Sequence, residues 1–428
     1  MSKDIFIEKI HRGQVLRRQG RHEDAEEMFR AAVSANPENY AGYAELAFCQ
    51  IQMEGKRREA LRTIDRAIQL DPNVSDLYAM KAMALAVLDR GKDALPFADQ
   101  AIGLDPENGW AHTAKARAYL SLQQWSNAEA SARQALALDP NDSDAGNILA
   151  TALRLQGKLD QNTDAVEKLL SDDPEDAFAH CNAGWAALQR HRHQEAERHF
   201  REALQIDADL EYARAGLLES YKGRSPFYRM YLRYAFFMQR FQRGSQWAII
   251  IGLYLAFRFG RVLIDAIHPL AAMGLTLCYL LFVFWIWIAS GVGHFLIFLD
   301  RSARVALKQP EVLEGVAVGG GLFLGAVFAA VGILMGQVAL VCLGASLLIA
   351  TIPASLYFTN PSLWGRRIFG GIMVFIYLAG VFALATSWVA PEAPLHQASL
   401  GYLKLGFLGS ILCTWLGNVS VLRKETVY

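Results

Sequence analysis

The sequence predicts an all-α fold in two parts, an N-terminal α-solenoid of about six helical hairpins and a C-terminal polytopic bundle of about six transmembrane helices. Three observations predict it. An Asp-Pro or Asn-Pro dipeptide returns every 34 or 35 residues, charge thins out beyond Ser245, and apolar runs near 20 residues long fill the remainder. The averages conceal this split, because 42 basic side chains balance 42 acidic ones while 53% of residues are hydrophobic. Neither part has the basic excess of a dedicated nucleic-acid binder. The opening MSKDIFIEKIHRGQVLRRQG lacks the continuous apolar core of a secretory signal, so the polar part is expected in the cytosol. Five scattered cysteines contain no CxxC pair, which predicts neither a disulfide framework nor a thiolate metal site.

The repeat is read from Pro37, Pro72, Pro106, Pro140 and Pro174, and a further step of 34 reaches Ala208 in QIDADLE. A proline biases the residue before it away from α geometry, so each of these marks the end of a hairpin. Within the units, small residues recur where two helices must approach: Gly13, Ala25 and Ala32, then Ala47, Ala60 and Ala67, and onward to Gly184, Ala196 and Ala203. Gly20, Gly91 and Gly157 are expected to end the first helix of their hairpins. Repeat two carries an extra residue near MEGKRRE, and Asn162 stands in repeat five where alanine is usual, which predicts looser packing there. Residues 210–223 have the periodicity of a capping helix.

On this period, these small-residue positions and the terminal proline, residues 6–210 resemble the tetratricopeptide repeat family. The resemblance implies that the first helix of each unit lines a concave surface. It carries the inward positions onto Gln14, Arg17, Arg18, Phe48, Gln52, Met83, Trp110, Arg117, Asn147, Arg154 and Trp185. Aromatic and guanidinium groups on such a wall suit an extended or helical peptide of a protein partner. The competing reading places Trp110 and Trp185 in the packing between helices. The Lys-Asn pattern with which chaperone-binding relatives grip a carboxylate terminus is missing, so a chaperone adaptor is not expected.

Residues 224–244, with SPFYRMYLRYAFFMQRFQRG, predict a basic amphipathic helix in the lipid interface, or else a linker helix packed on the last repeat. Beyond it, six spans are expected at 245–267, 269–290, 315–335, 337–358, 368–389 and 399–421, within a transmembrane domain of residues 245–424. Arg229, Arg233, Arg240 and Arg243 precede the first span. Arg301, Arg304 and Lys308 follow the second, Arg366 and Arg367 the fourth, and Arg423 and Lys424 the sixth. Six spans put every basic connector on the side of the N-terminus, so both termini are expected in the cytosol, in a bacterial cytoplasmic membrane. Glycines four apart, including Gly321 with Gly325 and Gly332 with Gly336, predict close helix packing inside the bundle.

Candidate chemistry is sparse. Arg258, Arg261 and Asp265 share one helical face near the end of span one, with His268 just beyond. They form either an intramembrane polar site for an anion or headgroup, or a helix end whose charges reach back to water. Spans three to six carry almost no ionisable residue, so an ion-coupled transporter is not expected. His191, His193 and His199 fall in an inter-helix turn without a completing ligand set, so no metal is predicted. No phosphate loop, nucleophile elbow or paired-carboxylate motif appears, so neither a cofactor nor an enzyme is expected. The expected function is a membrane-anchored scaffold or adaptor; the alternative is a small-solute or lipid transporter, or lipid-handling protein, regulated through its repeats.

Overall fold

The computed structural model describes residues 2–389, 394–419 and 422. The Glu392 turn and the Arg423/Lys424 pair therefore lie outside the described residues. Every regular element among the described residues is helical. The first six hairpins are α1 (Ser2–Arg18) with α2 (His22–Ala35), α3 (Tyr40–Gln52) with α4 (Arg57–Leu70), and α5 (Ser75–Val87) with α6 (Gly91–Leu104), followed by α7 (Gly109–Ser121) with α8 (Trp125–Leu138), α9 (Ser143–Gln156) with α10 (Leu159–Asp172), and α11 (Ala177–Gln189) with α12 (His193–Ile206). After them come α13 (Glu211–Lys222) and α14 (Pro226–Gln239). Then follow α15 (Arg243–Asp265), α16 (Pro269–Leu299), α17 (Gln309–Gly315), α18 (Gly321–Leu334), α19 (Val338–Ile349), α20 (Thr351–Tyr357), α21 (Leu363–Val389) and α22 (Pro394–Leu416).

Two compact units form. One comprises Met1–Ala186, Glu202–Asp209 and Phe236–Trp247; the other comprises Ala187–Arg201, Leu210–Ala235 and Ala248–Tyr428. In the first, the small residues do what their spacing requires. Ala25 and Ala32, Ala60 and Ala67, Ala94 and Ala101, and Ala128 and Ala135 are all completely buried, letting the helices of each hairpin touch. A methyl group at Gly13 would lie 2.6 Å from the ring of Phe29, so only hydrogen fits under that ring. At the hairpin ends, the side chains of Asp71, Asp105, Asp139, Asp173 and Asp207 each accept from the backbone N–H two residues on, at 2.9–3.1 Å. These are Asx turns. Asp207 makes its turn although Ala208 replaces proline, which explains how the sixth hairpin ends without one.

Two sequence expectations need correction. Gly91 does not end a helix: it opens α6, and Asp89 takes the left-handed turn position instead. That position holds Gly20, Asp89, Gln123, Gly157 and His191, with φ of 60–79°, and from Asp89 onward it recurs every 34 residues whether or not glycine occupies it. Asn162 keeps one polar atom unsatisfied in repeat five, because its Oδ1 is buried without a partner. It is fully buried and donates to the Ala150 carbonyl at 2.8 Å, so the amide replaces alanine without an unpaired donor. The extra residue of repeat two is absorbed by a short 3₁₀ turn, Glu54–Lys56. Residues 224–244 do not form one continuous helix, because α14 stops at Gln239 and α15 opens at Arg243.

In the second unit, α16 is the longest helix at 31 residues, and α17 and α18 are joined by a π-helical turn, Val316–Gly320. Ile288, Val318, Ile352, Phe369, Met373 and Cys413 form its core. The glycine seam pairs α18 with α19: a methyl at Gly325 would stand 2.9 Å from the Gly344 carbonyl, and one at Gly332 would stand 2.7 Å from the Val341 nitrogen. Among the described residues, five stretches are long and apolar enough to cross a membrane: Gly244–Asp265, Pro269–Leu299, Gln309–Leu334, Val338–Tyr357 and Leu363–Thr386. The sixth expected span yields a shorter apolar helix, Gly401–Leu416.

Candidate partner-binding groove

At the N-terminal end, α1, α3 and α7 bring together three of the residues singled out in the sequence. Arg17 lies over the ring of Phe48, its Cζ 4.4 Å from the centroid. Phe48 in turn meets the edge of Trp110 with centroids 6.1 Å apart. The Arg17 guanidinium stands 3.4 Å from a Glu45 oxygen, and the Gln14 amide donates to the same carboxylate at 2.5 Å. Around these groups opens a cavity of about 410 Å³, completed by Tyr40, Asp76, Leu77 and Met80. Its floor is apolar and aromatic, and its rim holds one cation and two carboxylates. That arrangement can desolvate a hydrophobic side chain while offering charged partners to a backbone beside it.

Trp110 serves two ends at once, because it also packs against the buried faces of α3 and of the α5–α6 hairpin. The remaining positions divide. Arg18 and Gln52 do not join the cavity. Met83 is 7% exposed and belongs to the core between α5 and α6. Arg117 is half-buried and faces Asp144 at 3.5 Å. Asn147 lies in a ladder between neighbouring hairpins, donating to Asp176 at 2.7 Å and accepting from Asn182 at 3.0 Å. Arg154 is nearly buried over Trp185, 5.8 Å from its ring, and Trp185 meets the edge of Phe236 at 6.5 Å. A side chain of α14 thus covers the Trp185 end of the expected groove. Tyr40, Glu45 and Asp76 escaped the sequence reading; Glu45 was legible in principle, three residues before Phe48 on the same helical face.

Elsewhere, Arg258, Arg261 and Asp265 are exposed on α15, none of whose apolar window is buried. His191 accepts from the Arg233 Nε at 3.1 Å, and both His191 and His193 titrate below the ordinary histidine value through burial and then nearby arginines. His199 lies within α12, not in the turn that precedes it. On α14, Phe227, Met230 and Phe237 remain exposed.

The 34-residue period, the buried small residues and the hairpin pairing agree with a profile described as tetratricopeptide repeat, which matches residues 16–84 and 89–150; a second such profile matches 177–210. The N-terminal part of this chain is built of tetratricopeptide repeats. No curated protein matches the chain. Among solved structures, a thermophilic TPR protein of Thermus thermophilus is 24% identical with a TM-score of 0.40, and the match covers 43% of this chain and 99% of that one. A tetratricopeptide repeat protein from Parabacteroides merdae is 19% identical, TM-score 0.40, over 57% and 96%. MamA from Desulfovibrio magneticus is 22% identical, TM-score 0.33, over 40% and 97%. Repeats of this kind are an architecture for protein–protein interaction.

Proposed function

We propose that this protein is a membrane-anchored tetratricopeptide scaffold, without catalytic activity of its own, which captures a protein or peptide partner at Arg17, Phe48 and Trp110. The observation that carries this reading is the cavity of about 410 Å³ in which a guanidinium, two aromatic rings and two carboxylates converge. Arg117 extends the recognition surface, while Asn147 and Arg154 support the wall behind it. The apolar helices beyond Gly244 hold the scaffold in the bilayer as six spans, residues 245–424, with the repeats and both termini in the cytosol. The exposed Phe227, Met230 and Phe237 of α14 reach the lipid interface, where Arg233 meets anionic headgroups. The alternative, a transporter or lipid-handling protein, would rest on Arg258, Arg261 and Asp265, which stand on exposed helix surface.

The test is a photo-crosslinking residue at Phe48 or Tyr40 of the full chain in native membranes. A discrete crosslinked partner that disappears in an Arg17→Ala/Trp110→Ala variant, with helicity unchanged, is the expected result. Equal capture by that variant would remove the groove from the account. For topology, a reporter inserted after Gly336 is expected to behave as external; a cytosolic signal there overturns the six-span arrangement.

A further inference from the structure

Inside the second unit lies a cluster of polar side chains that the function above leaves unused. Glu314, His294 and Ser355 are 1%, 5% and 9% exposed, and they come from α17, α16 and α20. One Glu314 oxygen meets His294 Nδ1 at 3.1 Å, and the other accepts from the Ser355 hydroxyl at 2.9 Å. An apolar core with Ile288, Val318, Ile352 and Phe369 occupies the same unit, and Tyr228 and Glu311 stand close enough to feel the cluster's charge. Such a carboxylate is costly to bury unless its charge is balanced.

The other charges around it are already spoken for. From α13, Lys222 is 4% exposed and bonds Glu219 at 3.0 Å. From α14, the Tyr228 hydroxyl donates to Glu219 at 2.8 Å, and Tyr231 stacks obliquely on Tyr228. Burial and then the Glu219 charge push the Tyr228 phenol well above its ordinary value, so it stays neutral. From α17, Glu311 faces Arg214. His294 and Ser355 are the side chains that meet the Glu314 carboxylate directly.

We propose that Glu314 and His294 form a proton-binding site within the apolar part of the chain, holding one proton between carboxylate Oε2 and imidazole Nδ1. The proton comes from water and returns to it, and no other bond forms or breaks. With the proton the pair is neutral overall, as carboxylic acid with imidazole or as carboxylate with imidazolium. Without it the pair carries a full negative charge, supported by the Ser355 hydroxyl and the Nδ1–H. The site sits on a sensitive seam. A methyl at Gly315 would lie 2.8 Å from the Phe295 nitrogen, and the π-helical turn Val316–Gly320 begins one residue later. Such turns are uncommon and recur at functional positions. Loss of the proton therefore loosens the contact of residues 309–320 with α16.

The test uses the full-length protein in detergent micelles, titrated by infrared difference spectroscopy with hydrogen exchange of residues 309–320 followed in parallel. The expected result is one proton step per chain, absent from both Glu314→Gln and His294→Asn, displaced in Ser355→Ala, and coupled to faster exchange of that segment on release. Two independent steps, or a step that survives both substitutions, overturns the proposal. Should neither variant fold, the wild-type protein decides alone: exchange of 309–320 that ignores pH, beyond the intrinsic amide dependence, also overturns it.

Discussion

Arg214 and Glu311, 97 residues apart, face each other in a two-pronged ion pair with both N–O distances at 3.0 Å. The same guanidinium donates to the Ala306 carbonyl and to Glu211, and Glu211 also accepts from Lys308. Arg224 repeats the arrangement nearby, bridging Glu197 and Asp300. The helix after the last repeat is thereby fastened to the connector between α16 and α17. A lysine at position 214 keeps the charge but loses the planar fork. Arg214→Lys and Glu311→Gln are each expected to destabilise the folded chain by about 1–3 kcal/mol. Denaturant unfolding in detergent checks this, and a double-variant cycle should show that the two losses do not add.

Acid should weaken the repeat array through Glu129. Burial alone would raise this carboxyl, but hydrogen bonds from Lys158, Gln156 and Arg133 outweigh it and hold the group below its ordinary 4.5. A group with a depressed folded value contributes stability above its unfolded value and loses it as pH falls through the folded one. The contribution is therefore present above pH 4.5 and fades below it. Because the site is partly solvated, it is worth about 1 kcal/mol or less. Thermal unfolding across this range should show a shallower acid loss in Glu129→Gln than in the natural chain.

Two glycines are expected to tolerate no side chain. Gly157 has φ +79°, and a methyl there would also approach Arg240 to 2.8 Å. Gly157→Ala should cost about 1–2 kcal/mol from backbone strain alone. Gly13→Ala drives a methyl into the Phe29 ring and should cost about 1–3 kcal/mol by overpacking. Gly55, whose added methyl meets nothing within 4 Å, serves as the control. Circular dichroism melts distinguish the three.

For the groove, truncating Trp110 removes an aromatic wall of the cavity and a packing contact together. Trp110→Ala is expected to weaken partner binding at least tenfold, about 1.4 kcal/mol, and to lower the melting temperature. Arg17→Ala should weaken binding by a similar factor and also lower the melting temperature, since the largely buried Arg17 covers Phe48 and pairs with Glu45. Binding measured on the partner captured at Phe48 separates the effects.

Much of the fold was legible because it repeats. A 34-residue period averages out local ambiguity, so the hairpin boundaries at Pro37 to Pro174 and the buried alanines could be read directly. Apolar runs near 20 residues were legible because length and composition alone make a helix long and apolar enough to cross a membrane. The groove was legible only in part. Phe48, Trp110 and Arg17 meet as the repeat geometry implies, but Met83 turns into the core and Phe236 covers Trp185, since those outcomes depend on neighbours outside the repeat. Glu314 and His294 fell between the expected spans at 290 and 315, where longer helices bury what looked like connector.

The sequence by itself determined the helical repeats, their small-residue seams and the predominantly apolar character of the chain beyond Ser245, because each depends on composition and spacing along one chain. Tertiary structure alone decided which distant polar groups meet: Arg214 with Glu311, and Glu314 with His294 and Ser355. Those encounters join residues from 20 to 97 positions apart. Their energies arise from distance and burial in three dimensions, which no periodicity encodes.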